Sequence, residues 1–435
     1  MKRSSLSTSS VLLFCILFLL SCKTSVNNQP GTTPVIDLAS SVGGGRVVNL
    51  SDIATDVRYV KLETSDSSLI GMFPRVFYEN ERIYVMALKV VKVFDKEGKF
   101  LFKFDRRGRG PQEYSMTRYI TAMPSTGNIT VQTQGLGESD NLMFFDREGN
   151  FVKKVNIPYQ RSTFQSKTIK INDNLFVTAA SPKYRDSVQL SAIVYDSLFN
   201  ILKEIPTPYL PEYEKLSDGE VIFISTGNDA KPQKMNRVFS LNFPEIYKFE
   251  DNVRFLLNEN DTIFSIDSKM NFSPAFIINY GKYKNESPNR ESITQLEGDH
   301  ISFRSVYCIE SPQSLILQFY LRNFAHEPYE TTMTNRLGTR VLKHSDSYAL
   351  YNKKTGEFTL LNQPVKGKPG FRDDLMNGPS FIPTHISSDF YASAIFTATE
   401  IIEHAETNNV TGDIKKLVTS LKDSDNPVVA IAKMR

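Results

Sequence analysis

Apolar residues alternate with polar ones in short runs along this chain, and the runs come in pairs. Phe100, Phe102 and Phe104 fall on one side of an extended segment, with Lys99 and Lys103 on the other. That is the signature of a half-buried antiparallel strand. Val93-Phe94 closes the run before it, and Asp95-Lys96-Glu97-Gly98 separates the two. The arrangement returns as Phe144-Phe145-Asp146-Arg147-Glu148-Gly149-Asn150-Phe151-Val152. A looser copy runs from Val194-Tyr195-Asp196 to Asn200-Ile201-Leu202, and fainter ones from Ser265-Ile266-Asp267 to Asn271-Phe272 and from Leu350-Tyr351-Asn352 to Gly356-Glu357-Phe358. In each, Asp or Asn can accept hydrogen bonds from the backbone just beyond it and so start a turn. The Gly or Asn that follows suits a position of positive φ.

The first three copies begin at Asp95, Asp146 and Asp196, spacings of 51 and 50 residues, and the later spacings stretch to 71 and 85. A period of about 40–50 residues with four short strands per unit is what a β-propeller blade requires. A β-sandwich with several similar hairpins has no reason to keep that period. The longer spacings read as blades with loop insertions, at Pro206 to Glu250, Lys282 to His300 and residues 322–346.

The strands predicted for blade one are Ile83–Val85, Val91–Phe94 and Phe100–Phe104, and for blade two Ile129–Val131, Leu142–Phe145 and Phe151–Ile157. Blade three takes Leu175–Thr178, Leu190–Tyr195 and Ile201–Ile205, and blade four Val253–Leu256, Thr262–Ile266 and Phe276–Tyr280. Blade five takes Ser305–Ile309, Leu315–Tyr320, Tyr348–Tyr351 and Phe358–Leu361. Arg46–Leu50 and Val57–Leu62 read as strands without a nearby partner and are assigned to a closing blade with Val428–Ala432. Such closure would remove exposed strand edges. Between them the period changes: Ile395, Ala398, Ile402 and Ala405 share one helical face, and Ile414, Leu417, Val418 and Leu421 another, with Asp413 as N-cap.

Composition sharpens this at the N-terminus. Lys2 and Arg3 precede an apolar stretch, Val11 to Leu20, too short for an ordinary membrane span. It ends in Leu19-Leu20-Ser21-Cys22, which resembles a bacterial lipobox: the Cys receives diacylglycerol and becomes the first residue. The expectation is a lipid-anchored protein with a leader over 1–21, a flexible tether over 22–45 rich in Thr, Ser, Asn, Gly and Pro, and a propeller over 46–435. Lys23-Thr24-Ser25 brings no acidic surface-export signal, so the expected address is the outer membrane, facing the periplasm. With Cys15 in the leader and Cys22 modified, Cys308 is left alone and no intramolecular disulfide can form. The formal net charge is +3; without Lys2 and Arg3 the mature chain has 49 − 48 = +1, no footprint for nucleic acid.

With the lipobox and the turns in view, the chain resembles the six-bladed β-propeller lipoproteins of Bacteroidetes-type bacteria, similar in architecture to NHL-repeat propellers. The matching stretches are Val60-Lys61-Leu62-Glu63-Thr64, Val93-Phe94-Asp95-Lys96-Glu97-Gly98, Gly108-Arg109-Gly110-Pro111-Gln112-Glu113-Tyr114 and Asp425-Asn426-Pro427-Val428-Val429. The resemblance covers essentially the whole mature chain and implies an all-β, six-bladed propeller closed by N- and C-terminal strands, with a short helical decoration near the C-terminus. It implies no catalytic residues.

Candidate chemistry is sparse. Gly108-Arg109-Gly110-Pro111 lacks the Lys-Ser/Thr and the helix of a P-loop and the third Gly of a dinucleotide fingerprint. It reads as an inter-blade connector anchored by Glu113 and Tyr114, with Arg107 and Arg109 as candidates to face the channel and meet an anionic ligand. The Asp-x-x-Gly turns supply too few oxygens for calcium. His300, His326, His344, His385 and His404 form no zinc motif, and no Gly-x-Ser-x-Gly elbow occurs. Cys308 reads as a small core residue in a strand. Asp373-Asp374, a carboxylate pair near His385, completes the candidate ligand-binding set. No motif points to a cofactor or metal.

Two functions fit this pattern. One is a non-enzymatic binding or scaffolding module, its ligand at the channel mouth or a protein or glycan partner on the loop face of residues 206–250, 322–346 and 362–385. The other is a lyase or hydrolase acting on a glycan or lactone at the central channel. Fold alone does not choose. Convergent polar side chains with a metal would favour the enzyme, an apolar pocket or flat patch the binding module.

Overall fold

A computed structural model describes residues 32–72, 74–87, 90–114, 117–122, 128–134, 140–157, 167–179, 190–206, 245–256, 261–284, 299–335 and 338–435. The chain is a six-bladed β-propeller. Blades 1 to 3 are four-stranded antiparallel meanders over Arg75–Phe104, Thr117–Ile157 and Thr168–Pro206. Blade 4 runs from Glu245 to Ile278, and blade 5 from Ser302 to Leu360 with the hairpin Tyr329–Asn335/Gly338–His344 set between its second and third strands. Blade 6 takes His385–Ile386, Tyr391–Phe396 and Val428–Met434 from the C-terminal end, and its outermost strand, Ala54–Lys61, from the N-terminal end.

The expected zipper between chain ends is therefore present: Val57 pairs with Ala432 and Lys61 with Val428. Arg46–Leu50 is not part of it. Arg46 and Asn49 make single bridges to Leu361 and Arg372 instead. Nor is the chain a free tether up to residue 45. Val35 and Ile36 pair in parallel with Ile277 and Ile278 on the outer edge of blade 4, and Ile36 and Leu38 are fully buried. Two apolar side chains among the polar ones suffice to dock this segment. Gly45 passes so close to Asn362 and Leu360 that a Cβ there would lie 2.2 Å from the Asn362 side chain. The proposed leader and Cys22 lie outside the described residues.

Each copy of the repeat is the turn between the third and fourth strands of a blade. Asp146 Oδ1 accepts from the backbone N–H groups of Glu148 and Asn150 at 3.0 and 2.7 Å, and Asp196 and Asp267 do the same one and two blades on. Asn352 closes the blade 5 turn through Lys354 and Thr355. Positive φ falls on Gly98, Gly149 and Gly356 as expected, but in blades 3 and 4 on Phe199 and Met270. The neighbouring Asn200 and Asn271 instead donate their amides to Asp196 and Asp267. Phe199 sits in a region disfavoured for residues with a Cβ, but its ring is buried 4.7 Å from Phe176, and that packing offsets the strain.

The turn tips also join the blades. A Cβ on Gly98 would sit 2.2 Å from the Lys61 carbonyl in blade 6, and one on Gly149 would meet Phe102 of blade 1 at 3.1 Å. Lys203 of blade 3 donates to the Met270 carbonyl at the blade 4 tip. The core is a ring of inter-sheet layers, such as Val91, Phe104, Met143 and Phe145 between blades 1 and 2. The expected helical face is corrected at its start, because Ile395 belongs to the strand Tyr391–Phe396. The helix is Ala398–Thr407, capped reciprocally by Thr397 and Glu400, and it buries Ile401. In the second helix, Gly412–Val418, Thr411 and not Asp413 is the N-cap.

Candidate functional site

The innermost strands build the axial channel: Arg75–Glu79, Thr117–Ala122, Thr168–Asn172, Glu245–Phe249, Ser302–Glu310 and His385–Ile386; of these six the sequence reading includes only the fifth, as Ser305–Ile309. Because every blade is an antiparallel meander in one closed ring, these strands run the same way along the axis. Their first residues mark one end, here the upper, and their last residues the lower. Packing joins each blade to the next, so blades 1 and 4, and blades 3 and 6, face each other across the axis.

At the lower end, side chains of blades 4 and 6 meet. Phe249 of blade 4 reaches Phe390 of blade 6 with ring centroids 6.1 Å apart, although blade 5 lies between them in the ring. Lys353 Nζ lies 3.9 Å from the Phe249 centroid, and Arg254 stacks on the same ring. Beside it, the fully buried Glu310 carboxylate accepts from Arg254 Nε and Nη2 at 2.9 Å each, from Lys353 Nζ at 2.9 Å and from Tyr247 Oη at 2.7 Å. Burial pushes Glu310 up, but these donors outweigh it and hold the carboxyl below its ordinary range. Between blades 6 and 1, Ser388 donates its N–H and hydroxyl to Glu79, the hydroxyl at 2.6 Å. Burial nevertheless raises Glu79 to about 7.

Higher up, blades 1, 3, 4 and 6 contribute Arg75, Lys167, Glu245 and His385. Glu245 lies within electrostatic reach of Lys167 and Arg75, and His385 within reach of Lys167 from the opposite blade. Among the described residues these groups make no ion pair with one another. The His385 ring stands 5.8 Å from Phe77, edge to face, and its Nε2 is a buried atom without a hydrogen-bond partner. Burial, aided by Lys167, lowers its pKa to about 4, so the imidazole is neutral. Burial likewise raises Glu245 and lowers Lys167.

The candidates named from the sequence do not converge. Only His385 lies on the channel wall. Arg107 is exposed in the connector after blade 1 and grips Asp105 through Nε and Nη2 at 2.7 and 2.8 Å. Arg109 is exposed in the same connector, where Glu113 accepts from the Gly110 N–H at 2.8 Å and Tyr114 bonds back to Arg106 and Gly108. The loop's glycines and Glu113 make it a compact connector. Asp373 is buried and committed: it accepts from Tyr59 Oη at 2.7 Å and from the N–H groups of Leu375, Met376 and Gly378. Asp374 is exposed and binds Ser51 through N–H and Oγ. The Asp373 carboxylate is thus taken up by the fold. Cys308 lies in a strand against Tyr247 Oη at 3.3 Å, and burial pushes its thiol far up, leaving a poor nucleophile. Among the described residues no group of His, Cys, Asp or Glu could hold a metal ion.

Comparison with known proteins now fits this geometry. The family described as Domain of unknown function (DUF4934) matches residues 33–433. The chain belongs to the DUF4934 family. The match begins at residue 33, just before the segment docked on blade 4. This DUF4934 chain is similar to a Bacteroides fragilis protein inferred to be exported, with 18% identity and a TM-score of 0.58 over 92% of this chain and 99% of that one. At that identity the likeness speaks to the fold alone. A member of the DUF4221 family from Bacteroides vulgatus is more distant, at 12% identity and a TM-score of 0.45, over 88% of this chain and 97% of that one. Among curated proteins, none matches this DUF4934 sequence.

Proposed function

We propose that this is a lipid-anchored binding propeller of the cell envelope, with its ligand in the upper half of the axial channel. The observation that supports it is His385 on the innermost strand of blade 6, its ring 5.8 Å from Phe77 of blade 1 and its buried Nε2 without a hydrogen-bond partner, with Lys167 of blade 3 within electrostatic reach. Buried polar groups are normally satisfied within the fold. The buried His385 Nε2, left without a partner on the channel wall, is suited to one from outside.

The lyase or hydrolase reading would use His385 as general base, since its Nε2 is unbonded. A pKa of about 4 argues against that use: such an imidazole is neutral but a weak base, and proton abstraction works best with a group tuned near the working pH. The same neutral ring is well suited to a hydrogen bond with a ligand.

The reading is tested by purifying the intact protein from its membrane, releasing bound small molecules by heat and identifying them by mass spectrometry. A compound present in the wild-type protein and lost from His385→Leu is expected; equal amounts from both would sink the channel site. For the anchor, Cys22→Ala should move the protein from the membrane to the soluble fraction, and retention in the membrane would refute lipidation as the sole attachment.

A further inference from the structure

The fourth, outermost strands of blades 1, 2 and 3 share an irregularity. In each, one residue has no opposite in register on the third strand: Leu101 between the pairs Phe94–Phe100 and Val93–Phe102, Val152 between Phe145–Phe151 and Phe144–Lys153, and Leu202 between Tyr195–Ile201 and Val194–Lys203. A β-bulge turns its extra residue out of the ladder, and these three are 40%, 55% and 47% exposed. Leu198, at the tip of the blade 3 turn, is 77% exposed, where the matching positions in blades 1, 2 and 4 hold Glu97, Glu148 and Lys269. The fourth strand of each blade rises from the lower end, so these apolar side chains lie on the lower outer rim of three consecutive blades. The same three strands carry Lys103, Lys153, Lys154 and Lys203 against Glu204, all exposed, whereas the fourth strands of blades 4 and 5 carry no charge.

We infer that this rim lies on a bilayer, with its apolar side chains in the headgroup region and its lysines toward the phosphates of anionic lipids. The direction of the N-terminal segment points the same way, and that part rests on the lipid anchor proposed above. Val35–Ile36 runs parallel to the rising fourth strand of blade 4, so the chain reaches blade 4 from the lower end. Ten residues lead from Cys22 to Thr32, a reach of at most about 36 Å. An anchor at Cys22 therefore draws the lower rim beside blade 3 toward the membrane. The hairpin Tyr329–Asn335/Gly338–His344, which follows the second strand of blade 5 at the upper end, is left on the far side.

The chain contains no tryptophan, so a single introduced one reports its own surroundings. The test is fluorescence of the full chain, purified from its membrane and reconstituted in phosphatidylcholine vesicles with about a quarter phosphatidylglycerol, with and without brominated acyl chains. Leu198→Trp and Val152→Trp should each lose at least about half their emission to the brominated lipid. Met333→Trp, on the upper hairpin and 43% exposed in the wild type, should lose almost none. Leu198→Asp should cut the quenching of Val152→Trp at least about twofold, and Lys154→Glu should do so on the anionic vesicles, both with melting curves unchanged. Equal quenching at all three tryptophans, or none at Leu198→Trp and Val152→Trp, overturns the inference. Quenching indifferent both to phosphatidylglycerol and to Lys154→Glu overturns the assignment to anionic lipid. A shift of Leu198→Trp to shorter wavelength that brominated lipid does not quench gives the rim to a protein partner or a second copy, and overturns it too. The anchor is judged separately. If Cys22→Ala leaves the membrane fraction but the anchored chain is not quenched, the anchor stands and this surface falls; if Cys22→Ala stays in the membrane and Leu198→Trp is quenched, the surface stands and the anchor falls.

Discussion

Asp373 and Asp374 are neighbours with opposite roles. Asp373 satisfies three backbone N–H groups and a buried tyrosine hydroxyl, whereas Asp374, itself exposed, meets one half-buried serine. Asp373→Ala should therefore cost about 3 kcal/mol or more, because it strands several buried donors, and Asp374→Ala less than about 1 kcal/mol. Urea unfolding of the two variants checks this; equal losses would contradict it. Glu79 and His385 give opposite pH signatures. Glu79, raised by burial to about 7, holds its proton in the folded chain where the unfolded chain has lost it. Its contribution is full below the unfolded value and is lost as pH rises to about 7. His385, lowered to about 4 by burial and Lys167, contributes above the unfolded value and loses that contribution as pH falls from there to about 4. Glu79→Gln should accordingly gain stability relative to the wild type as pH rises from about 5 to about 7, measured by denaturant titration of both proteins at each pH; a constant difference would contradict it.

Among the elements, the Asp turn does two jobs, and its sequence advertises only the first. It reverses the chain within a blade, and its tip packs on the outermost strand of the blade before. Gly98 serves both, with φ +88° and no room for a Cβ beside the Lys61 carbonyl, which belongs to the strand that closes the ring. Gly149 has a similar φ but faces the edge of the Phe102 ring, which can give. Gly98→Ala should thus lower stability by at least about 1 kcal/mol more than Gly149→Ala. Paired thermal melts decide it, and equal effects would place the cost in φ alone. The innermost strands show the converse. Thr168-Ile169-Lys170-Ile171-Asn172 does alternate, whereas in Glu245-Ile246-Tyr247-Lys248-Phe249 the buried Ile246 and Phe249 are three positions apart; both stand next to long polar connections and lack the Asp turn. They were absorbed into loops, and Glu245, Lys167 and Arg75 went unnoticed with them.

For the molecule as a ring, closure rests on Val428–Met434, which lies between Ala54–Lys61 and Tyr391–Phe396 and is almost wholly buried. Deleting Val428–Arg435 would leave two strand edges bare and unzip the wheel, and the expected outcome is an insoluble or non-cooperatively unfolding chain. Ile36→Ser, by contrast, loosens only the extra strand on the outside of blade 4 and should lower the melting temperature by a few degrees without loss of cooperativity. Solubility and circular-dichroism melts separate the two outcomes, and a cooperative fold after the C-terminal deletion would show that the ring does not depend on its zipper.

Blade period, Asp turns, the pairing of chain ends and the helical insert were all legible in the order of residues, because each is a local pattern or a repeat of one. The Asp side chain meets amides two and four positions on, and period-two alternation is written strand by strand. The proposed channel site was not legible, since Arg75, Lys167, Glu245 and His385 are scattered over more than three hundred positions and share no motif. They meet because six blades bend into a circle and opposite blades face one another across its axis. The same closure sets Asp373 under Tyr59 and turns a conspicuous acidic pair into scaffold. Where a charge ends up, and whether the fold or a ligand satisfies it, depends on neighbours that only the ring supplies.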